Sequence, residues 1–181
     1  MSQVSFENRT VIVTGAGNGL GKAYALDLGS RGAKVVVNDL GGAVDGSGSG
    51  STPADEVVNE IIANGGEAVA NYDSVASKEG GESIVQTAID NFGTVDAVVN
   101  NAGILRDKSF ANMSEEELSL IIDVHLKGTF FVSQPAFKVM KENAYGRIVN
   151  VASPSGLFGN FGQSNYGAAK MGIVGLTNVL A

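Results

Sequence analysis

Short, wholly apolar β-branched runs alternate along the chain with longer segments in which apolar residues recur every three or four positions. Val11–Val13 is flanked by polar residues and a glycine cluster, so it predicts a parallel strand buried on both faces. Leu20 to Arg31 has apolar residues at helical spacing (Leu20, Ala23, Tyr24, Leu28) and ends at Gly32, which suits a helix C-terminus. Val35–Val37 repeats the strand signal. Ala54 to Ala63 predicts a helix, with Ser51 or Thr52 as N-cap and Pro53 in its first turn; Gly65-Gly66 stops it. Glu67–Asn71 predicts a third strand, Gly81–Phe92 a helix and Val95–Val99 a fourth strand. Ser114 followed by Glu117 is a capping box, and the helix it opens is expected to run to about Lys141. Arg147–Val151 predicts a fifth strand, and Ser164–Ala181 a final helix.

Five strands alternating with helices require crossovers long enough to force parallel pairing, with helices on both faces. The expected fold class is therefore α/β, a doubly wound Rossmann-type sheet of order 3-2-1-4-5. One domain is expected over residues 1–181, since no repeat or linker interrupts the pattern. The low-complexity stretch Gly41–Gly50 (GGAVDGSGSG) follows the second strand and predicts a flexible loop.

Composition narrows the function. The net charge is −7, with 12 basic and 19 acidic residues and no basic run, so neither nucleic acid nor an anionic membrane is an expected partner. There is no cysteine, hence no thiolate nucleophile, and the single histidine, His125, cannot form a histidine-rich metal site. No run of 18 apolar residues is present, and Met1–Thr10 lacks the pattern of a secretory leader. Glycine is abundant, 25 of 181 residues, without a three-residue period, so the glycines must serve individual turns.

The densest cluster lies between the first strand and first helix, Thr14-Gly15-Ala16-Gly17-Asn18-Gly19-Leu20-Gly21. A P-loop ending at Lys22 would need glycine at Ala16, and the usual dinucleotide pattern started at Gly15 would need glycine at Leu20. What fits is Gly15-x-x-x-Gly19-x-Gly21. Gly15 allows a sharp turn, Gly19 a close approach of backbone to pyrophosphate, and Gly21 a helix set close to the sheet. Helix N–H groups and dipole then face the phosphates, which makes Gly15, Asn18, Gly19, Leu20 and Gly21 candidate cofactor contacts. Asp39 ends the second strand 18 residues after Gly21. A carboxylate there either caps the start of the loop or bonds ribose hydroxyls, and in the second role it repels a 2′-phosphate. The expected cofactor is NAD rather than NADP.

Tyr166 and Lys170 are four residues apart on the final helix and share a face. A free phenol, with pKa about 10, is a poor proton carrier near neutrality, and a neighbouring ammonium lowers that value. Ser153 lies at the carboxyl end of the fifth strand, 13 residues before Tyr166, where its hydroxyl can bond a substrate carbonyl. Ser155 is a rival at a spacing of 11.

Residues 14–21 (TGAGNGLG), Asn100-Asn101-Ala102-Gly103, Ser153 and Tyr166-x-x-x-Lys170, in that order over the whole chain, resemble the short-chain dehydrogenase/reductase family. VVVNDLGG (35–42), ANYDSV (70–75), NNAGILRD (100–107), DVHLKG (123–128), YGRIVN (145–150) and GNFGQSNY (159–166) resemble its (3R)-hydroxyacyl-CoA dehydrogenase branch. That branch comprises a domain of the type 2 peroxisomal multifunctional enzymes and single-domain bacterial relatives.

The resemblance implies that Tyr166 is the general acid/base, that Lys170 lowers its pKa and holds the nicotinamide ribose, and that Ser153 orients the carbonyl. Asp73 and Val75 would flank the adenine, and Asn101-Ala102-Gly103 would line the adenosine side. His125 stands where most of the wider family has an asparagine that relays protons to the lysine. It is either such a relay or a buried histidine bonded to a backbone carbonyl.

The implied reaction is hydride transfer between NAD and a (3R)-hydroxyacyl thioester, with acyl-CoA as substrate. Alternatives are a 3-oxoacyl-carrier-protein reductase, a steroid or sugar dehydrogenase, or an inactive fragment of such an enzyme. Residues 156–161 offer an apolar wall to an acyl chain. Arg106 and Lys108 either meet coenzyme A phosphates or are solvated charges. The resemblance also implies a homo-oligomer through helices around 114–141 and 164–181. Family members continue into further strands and a substrate-covering region, so a C-terminally truncated chain is expected. The expected compartment is a bacterial cytoplasm, with the peroxisomal matrix as the alternative.

Overall fold

The computed structural model describes residues 4–181; residues 1–3, part of the segment Met1–Thr10 read above, lie outside the described residues. The elements are β1 Thr10–Thr14, α1 Gly19–Ser30, β2 Lys34–Asn38, α2 Thr52–Ala63, β3 Glu67–Asn71, α3 Lys78–Phe92 and β4 Ala97–Asn100. They continue with α4 Glu115–Ile121, a π-helical turn Ile122–Lys127, α5 Gly128–Glu142, β5 Arg147–Asn150, α6 Pro154–Phe158 and α7 Ser164–Leu180. The five strands form one parallel sheet in the expected order β3-β2-β1-β4-β5, the parallel pairing following from the alternation.

The unbroken β-branched runs have a direct cause. Val11, Val13, Val35 and Val37 face α1 and α2, packing on Ala25, Val57 and Ile61. The alternate residues Ile12, Val36 and Val98 face α3 and α5, packing on Ile84, Val85, Val132 and Ala136. With both faces covered, the central positions of β1 and β2 are all apolar and period-two alternation disappears there, whereas polar residues stand at strand ends and β5 is part-exposed.

Several boundaries differ from expectation, each for a local reason. Helix α3 starts at Lys78 because the Ser77 hydroxyl accepts a bond from Gly80 N at 3.1 Å. Strand β4 starts at Ala97 because Asp96 is used otherwise: its carboxylate accepts from Thr10 N at 2.8 Å and from Arg9 at 3.0 Å. The capping box at Ser114 and Glu117 is present. The long helix expected from it is broken into α4, the π-turn and α5. Within α5, Pro135 has no N–H to offer the Phe131 carbonyl. That carbonyl instead lies against Gly81 of α3, where a Cβ would overlap it. The short helix α6 was not anticipated, although Ser153 at its N-cap and Pro154 behind it are ordinary start signals. Gly41–Gly50, expected as a flexible loop, is folded back on itself, with bonds from Gly50 N to Leu40 O at 2.9 Å and from Ala43 N to Ser47 O at 2.8 Å.

Among the described residues no helix is long and apolar enough to cross a membrane, and no group of three or more His, Cys, Asp or Glu side chains is placed to hold a metal.

Candidate active site

The bend between β1 and α1 is built from backbone. Gly15 has φ +62°, and a Cβ on Gly21 would overlap the Gly15 carbonyl oxygen, so both positions need glycine. Asn18 occupies the N-cap of α1 without a side-chain cap bond, and the first turn of α1 carries no acidic residue. Its N–H groups and dipole are therefore open to an anion. The strand β4 exit braces the bend from beside it. Asn101 Nδ2 donates to Thr14 O and Gly15 O, both at 3.1 Å, while Thr14 Oγ1 accepts from Asn101 N and Ala102 N, both at 3.1 Å.

Asp39 Oδ2 accepts from Gly17 N at 2.7 Å and Oδ1 from Gly41 N at 2.7 Å. The carboxylate thus caps the loop start and ties it to the bend, while each oxygen keeps a lone pair for another donor. Asp73 Oδ2 accepts from Asn71 Nδ2 at 2.9 Å and Ser83 Oγ at 2.7 Å, which fixes the turn after β3. Gly15, Asn18, Gly19, Asp39, Asp73, Val75, Asn101, Ala102 and Gly103 all line one cavity of about 660 Å³ at the carboxyl ends of the strands. Two predicted contacts are not in its wall: Leu20 is 63% exposed, and Gly21 is buried beneath Gly15. Glycine bend, open helix N-terminus and a carboxylate at the end of β2 fit a dinucleotide.

Beyond the Ile104 end of this cavity stands the second cluster. Lys170 is 4% exposed; its Nζ donates to Val151 O at 2.6 Å and lies 5.6 Å from the Tyr166 ring centroid. Burial lowers the Lys170 pKa to about 8. The His125 ring meets the Tyr166 ring edge-on, centroids 5.0 Å apart at 86°. His125 Nε2 is 2.8 Å from Ile104 O and 3.1 Å from Ile104 N, and Nδ1 is buried without a partner. Burial first, and the Lys170 charge second, push the His125 pKa down to about 4, so the ring is neutral at ordinary pH. This is the arrangement of a buried histidine bonded to backbone. Ser153 Oγ accepts from Ser155 N at 3.2 Å and its hydroxyl proton has no internal acceptor, whereas Ser155 Oγ donates to Gln163 Oε1 at 2.8 Å.

The model of the family described as short chain dehydrogenase matches residues 9–181. The chain belongs to the short-chain dehydrogenase family. It is 61% identical over 178 residues to a peroxisomal hydratase-dehydrogenase-epimerase of Saccharomyces cerevisiae, covering 98% of this chain and 20% of that protein. It is 58% identical over 180 residues to the peroxisomal multifunctional enzyme type 2 of Mus musculus, covering 99% of this chain and 24% of that protein. The chain thus spans about a fifth to a quarter of those relatives. A crystal structure of a short chain dehydrogenase from Mycobacterium avium superposes with TM-score 0.88 at 49% identity, over 96% of this chain and 62% of that one. Enzymes of this family are oxidoreductases that use NAD or NADP.

Other residues shape this short-chain dehydrogenase site; the sequence motifs contain two of them, Asn100 and Asn165, without indicating what they hold. Asn165, 1% exposed, donates from Nδ2 to Arg106 O at 3.0 Å and Glu117 O at 3.1 Å, and accepts from Tyr166 N at 2.8 Å. It pins the start of α7 to two other segments. Asn100 Nδ2 donates to Ser133 Oγ at 2.9 Å and Asn150 Oδ1 at 2.8 Å, joining β4, β5 and α5. The side chains of Asn165 and Asn100 carry no periodic signal; only an asparagine adjacent to a motif residue hints at them. Arg106 is half-buried with its Nε unpaired, and Lys108 is exposed. Lys108 N donates to Gly162 O at 2.8 Å, tying the loop after β4 to the loop before α7.

Proposed function

We propose that the chain carries NAD-dependent oxidation of a secondary alcohol, with a (3R)-hydroxyacyl-CoA thioester giving the 3-oxoacyl thioester. The observation that carries this reading is the pair Tyr166–Lys170, with the Lys170 ammonium 5.6 Å from the centre of the phenol ring, joined through His125 to Ile104 in the wall of a cavity that begins at the glycine bend. When bound, NAD supplies the hydride acceptor for the hydrogen on the substrate's C3. Tyr166 takes the hydroxyl proton as the C–O bond gains double-bond character, and the nearby Lys170 charge stabilises the oxygen that has given up its own proton. Ser153 donates its free hydroxyl proton to the developing carbonyl oxygen. Glycines 15 and 19 and the start of α1 hold the pyrophosphate, Asp39 the adenosine ribose, and Asp73, Val75 and Asn101–Gly103 the adenine side. Asp39 favours NAD, because a 2′-phosphate would meet a carboxylate. His125 holds the Ile104 backbone beside Tyr166.

The motif resemblance to the (3R)-hydroxyacyl-CoA dehydrogenase branch supports the acyl-CoA class, as do exposed Leu157, Phe158 and Phe161 on the segment between Ser153 and Tyr166, and the dehydrogenase named in the yeast relative fits the reaction. A homodimer is proposed through α5 and α7, where Phe130, Phe137 and Met171 are exposed apolar residues. The test is a spectrophotometric assay of the complete protein with NAD and NADP on (3R)- and (3S)-hydroxyacyl-CoA esters. The expected result is oxidation of the (3R) ester with NAD, slowed about a hundredfold to ten-thousandfold in Tyr166→Phe. Preference for the (3S) ester, or a fully active Tyr166→Phe, overturns the reading.

A further inference from the structure

The glycine- and serine-rich segment 41–50 does not trail into solvent. It leaves the end of β2 at Asp39 and returns on itself, with Gly50 N donating to Leu40 O at 2.9 Å. The two ends touch: a Cβ on Gly41 would overlap the Gly50 carbonyl, and Gly41 has φ +72°. Between these ends the chain crosses the mouth of the cavity. Val44 O accepts from Leu105 N at 3.0 Å, a bond to the segment after β4 on the far side. Gly46, at φ +84°, sits against Ile104, where a Cβ would come within 2.9 Å of Cδ1. Asp45 holds the tip in shape by accepting from Ser47 N at 2.9 Å and Ser47 Oγ at 2.6 Å. The coulombic pull of Arg106 favours the Asp45 carboxylate as well.

The cavity therefore has a roof. Leu40, Ala43, Val44 and Gly46 line it together with Gly15 and Gly19 of the bend, and Gly46 sits against Ile104 and Leu120, which also line it. The roof is held by one backbone bond and one glycine–isoleucine contact, and Val44 itself is 73% exposed. Such an attachment opens without disturbing the sheet, because no core residue belongs to it.

We propose that residues 41–50 are a clasp over the dinucleotide, closed by the Val44–Leu105 bond and the seat of Gly46 on Ile104, and that the cofactor leaves only when this clasp opens. The proposal rests on the reading of the cavity as a dinucleotide site. The repeated glycines are then required by the closed path at Gly41 and by the close approach at Gly46. Release, and with it the residence time of the cofactor, is set at a position that touches neither the bend nor Tyr166.

The experiment is the dissociation rate of NADH from the complete protein, followed by fluorescence after a chase with excess NAD. Wild type is compared with Gly46→Val, which pushes the loop off Ile104, and with a variant lacking residues 43–47. The ends of that deletion already adjoin, since a Cβ on Gly42 would lie 2.9 Å from Gly48 O. Dissociation is expected to be about tenfold faster in both variants, on the order of one lost backbone hydrogen bond. NADH is also expected to protect the 41–50 segment of wild type from limited proteolysis. Unchanged dissociation in the deletion variant, or cleavage at 41–50 unaffected by NADH, overturns the clasp. Failure of wild type to bind NADH at all overturns instead the dinucleotide reading beneath it.

Discussion

His125 stands edge-on to Tyr166 with ring centroids 5.0 Å apart, while its Nε2 lies 2.8 Å from the carbonyl oxygen of Ile104. One nitrogen cannot donate to that oxygen and accept from Ile104 N in the same instant. The shorter contact selects the Nε2–H tautomer and leaves Nδ1 as a buried acceptor without a partner. Protonating Nδ1 would put charge into an apolar site beside the Lys170 ammonium, which is why the ring resists it.

That resistance has a consequence for stability. The folded pKa of His125, about 4, lies below the unfolded value of 6.5. Below pH 6.5 the unfolded chain takes up a proton that the folded chain refuses, so this contribution is complete above pH about 6.5 and is lost as pH falls towards 4. Its size is on the order of 3 kcal/mol. Urea unfolding of wild type and His125→Asn at several pH values between 4 and 8 is expected to show the wild-type stability falling more steeply on acidification. Parallel curves would mean that His125 is not held neutral by the fold.

Lys170 predicts opposite effects on stability and rate. Its folded pKa of about 8 lies below the ordinary 10.5, so between these values the unfolded chain binds the extra proton and stability rises with pH; below about 8 the fold carries a buried charge at a cost. Lys170→Met removes that cost but strands the Val151 carbonyl, for a net gain on the order of 1 kcal/mol at pH 7. The same variant is expected to lose about a hundredfold to ten-thousandfold in kcat. Thermal melts and turnover measured on the same preparation check both signs.

How much of this was legible beforehand depends on whether a feature is local. Strands β1 and β2 announced themselves because burial on both faces leaves their central positions apolar. Gly15–Gly21 and the Tyr166–Lys170 pair could be found because bend and helix face are set within a few residues. The π-turn Ile122–Lys127 had no such mark: its residues IDVHLK look like any helical stretch, and its main partner outside its own helix is the distant α7. The state of His125 depends on Ile104 and Lys170, distant in sequence. Residues 41–50 looked flexible because composition cannot tell a mobile loop from one whose glycines fit a close-packed path.

Asp39 does two jobs, and substitution separates them. Asp39→Asn keeps one acceptor oxygen, so it retains either the Gly17 or the Gly41 bond and loses the negative charge. Asp39→Arg also brings a cation to where a 2′-phosphate would lie. The ratio of NADPH to NADH dissociation constants is expected to fall at least about tenfold in Asp39→Arg and by less in Asp39→Asn, as removal and then reversal of a nearby charge dictate. Titration of each variant with both dinucleotides checks the order. An unchanged ratio in Asp39→Arg would leave the carboxylate as a loop cap only.

Asn165 separates positioning from chemistry. Its amide holds two backbone carbonyls and the Tyr166 N–H, so it fixes where α7 begins and hence where the phenol points. Asn165→Ala strands three buried polar groups, with an expected cost of about 1–3 kcal/mol. Asn165→Asp keeps the acceptor for Tyr166 N but sets a carboxylate oxygen against the carbonyls of Arg106 and Glu117, so it is expected to be no better folded than the alanine variant. Neither change touches the glycine bend. The dissociation constant for NADH should therefore stay within about twofold of wild type while kcat falls at least tenfold, the pattern of a misplaced acid/base group. Loss of cofactor affinity in step with kcat would show instead that Asn165 supports the whole sheet edge rather than the tyrosine.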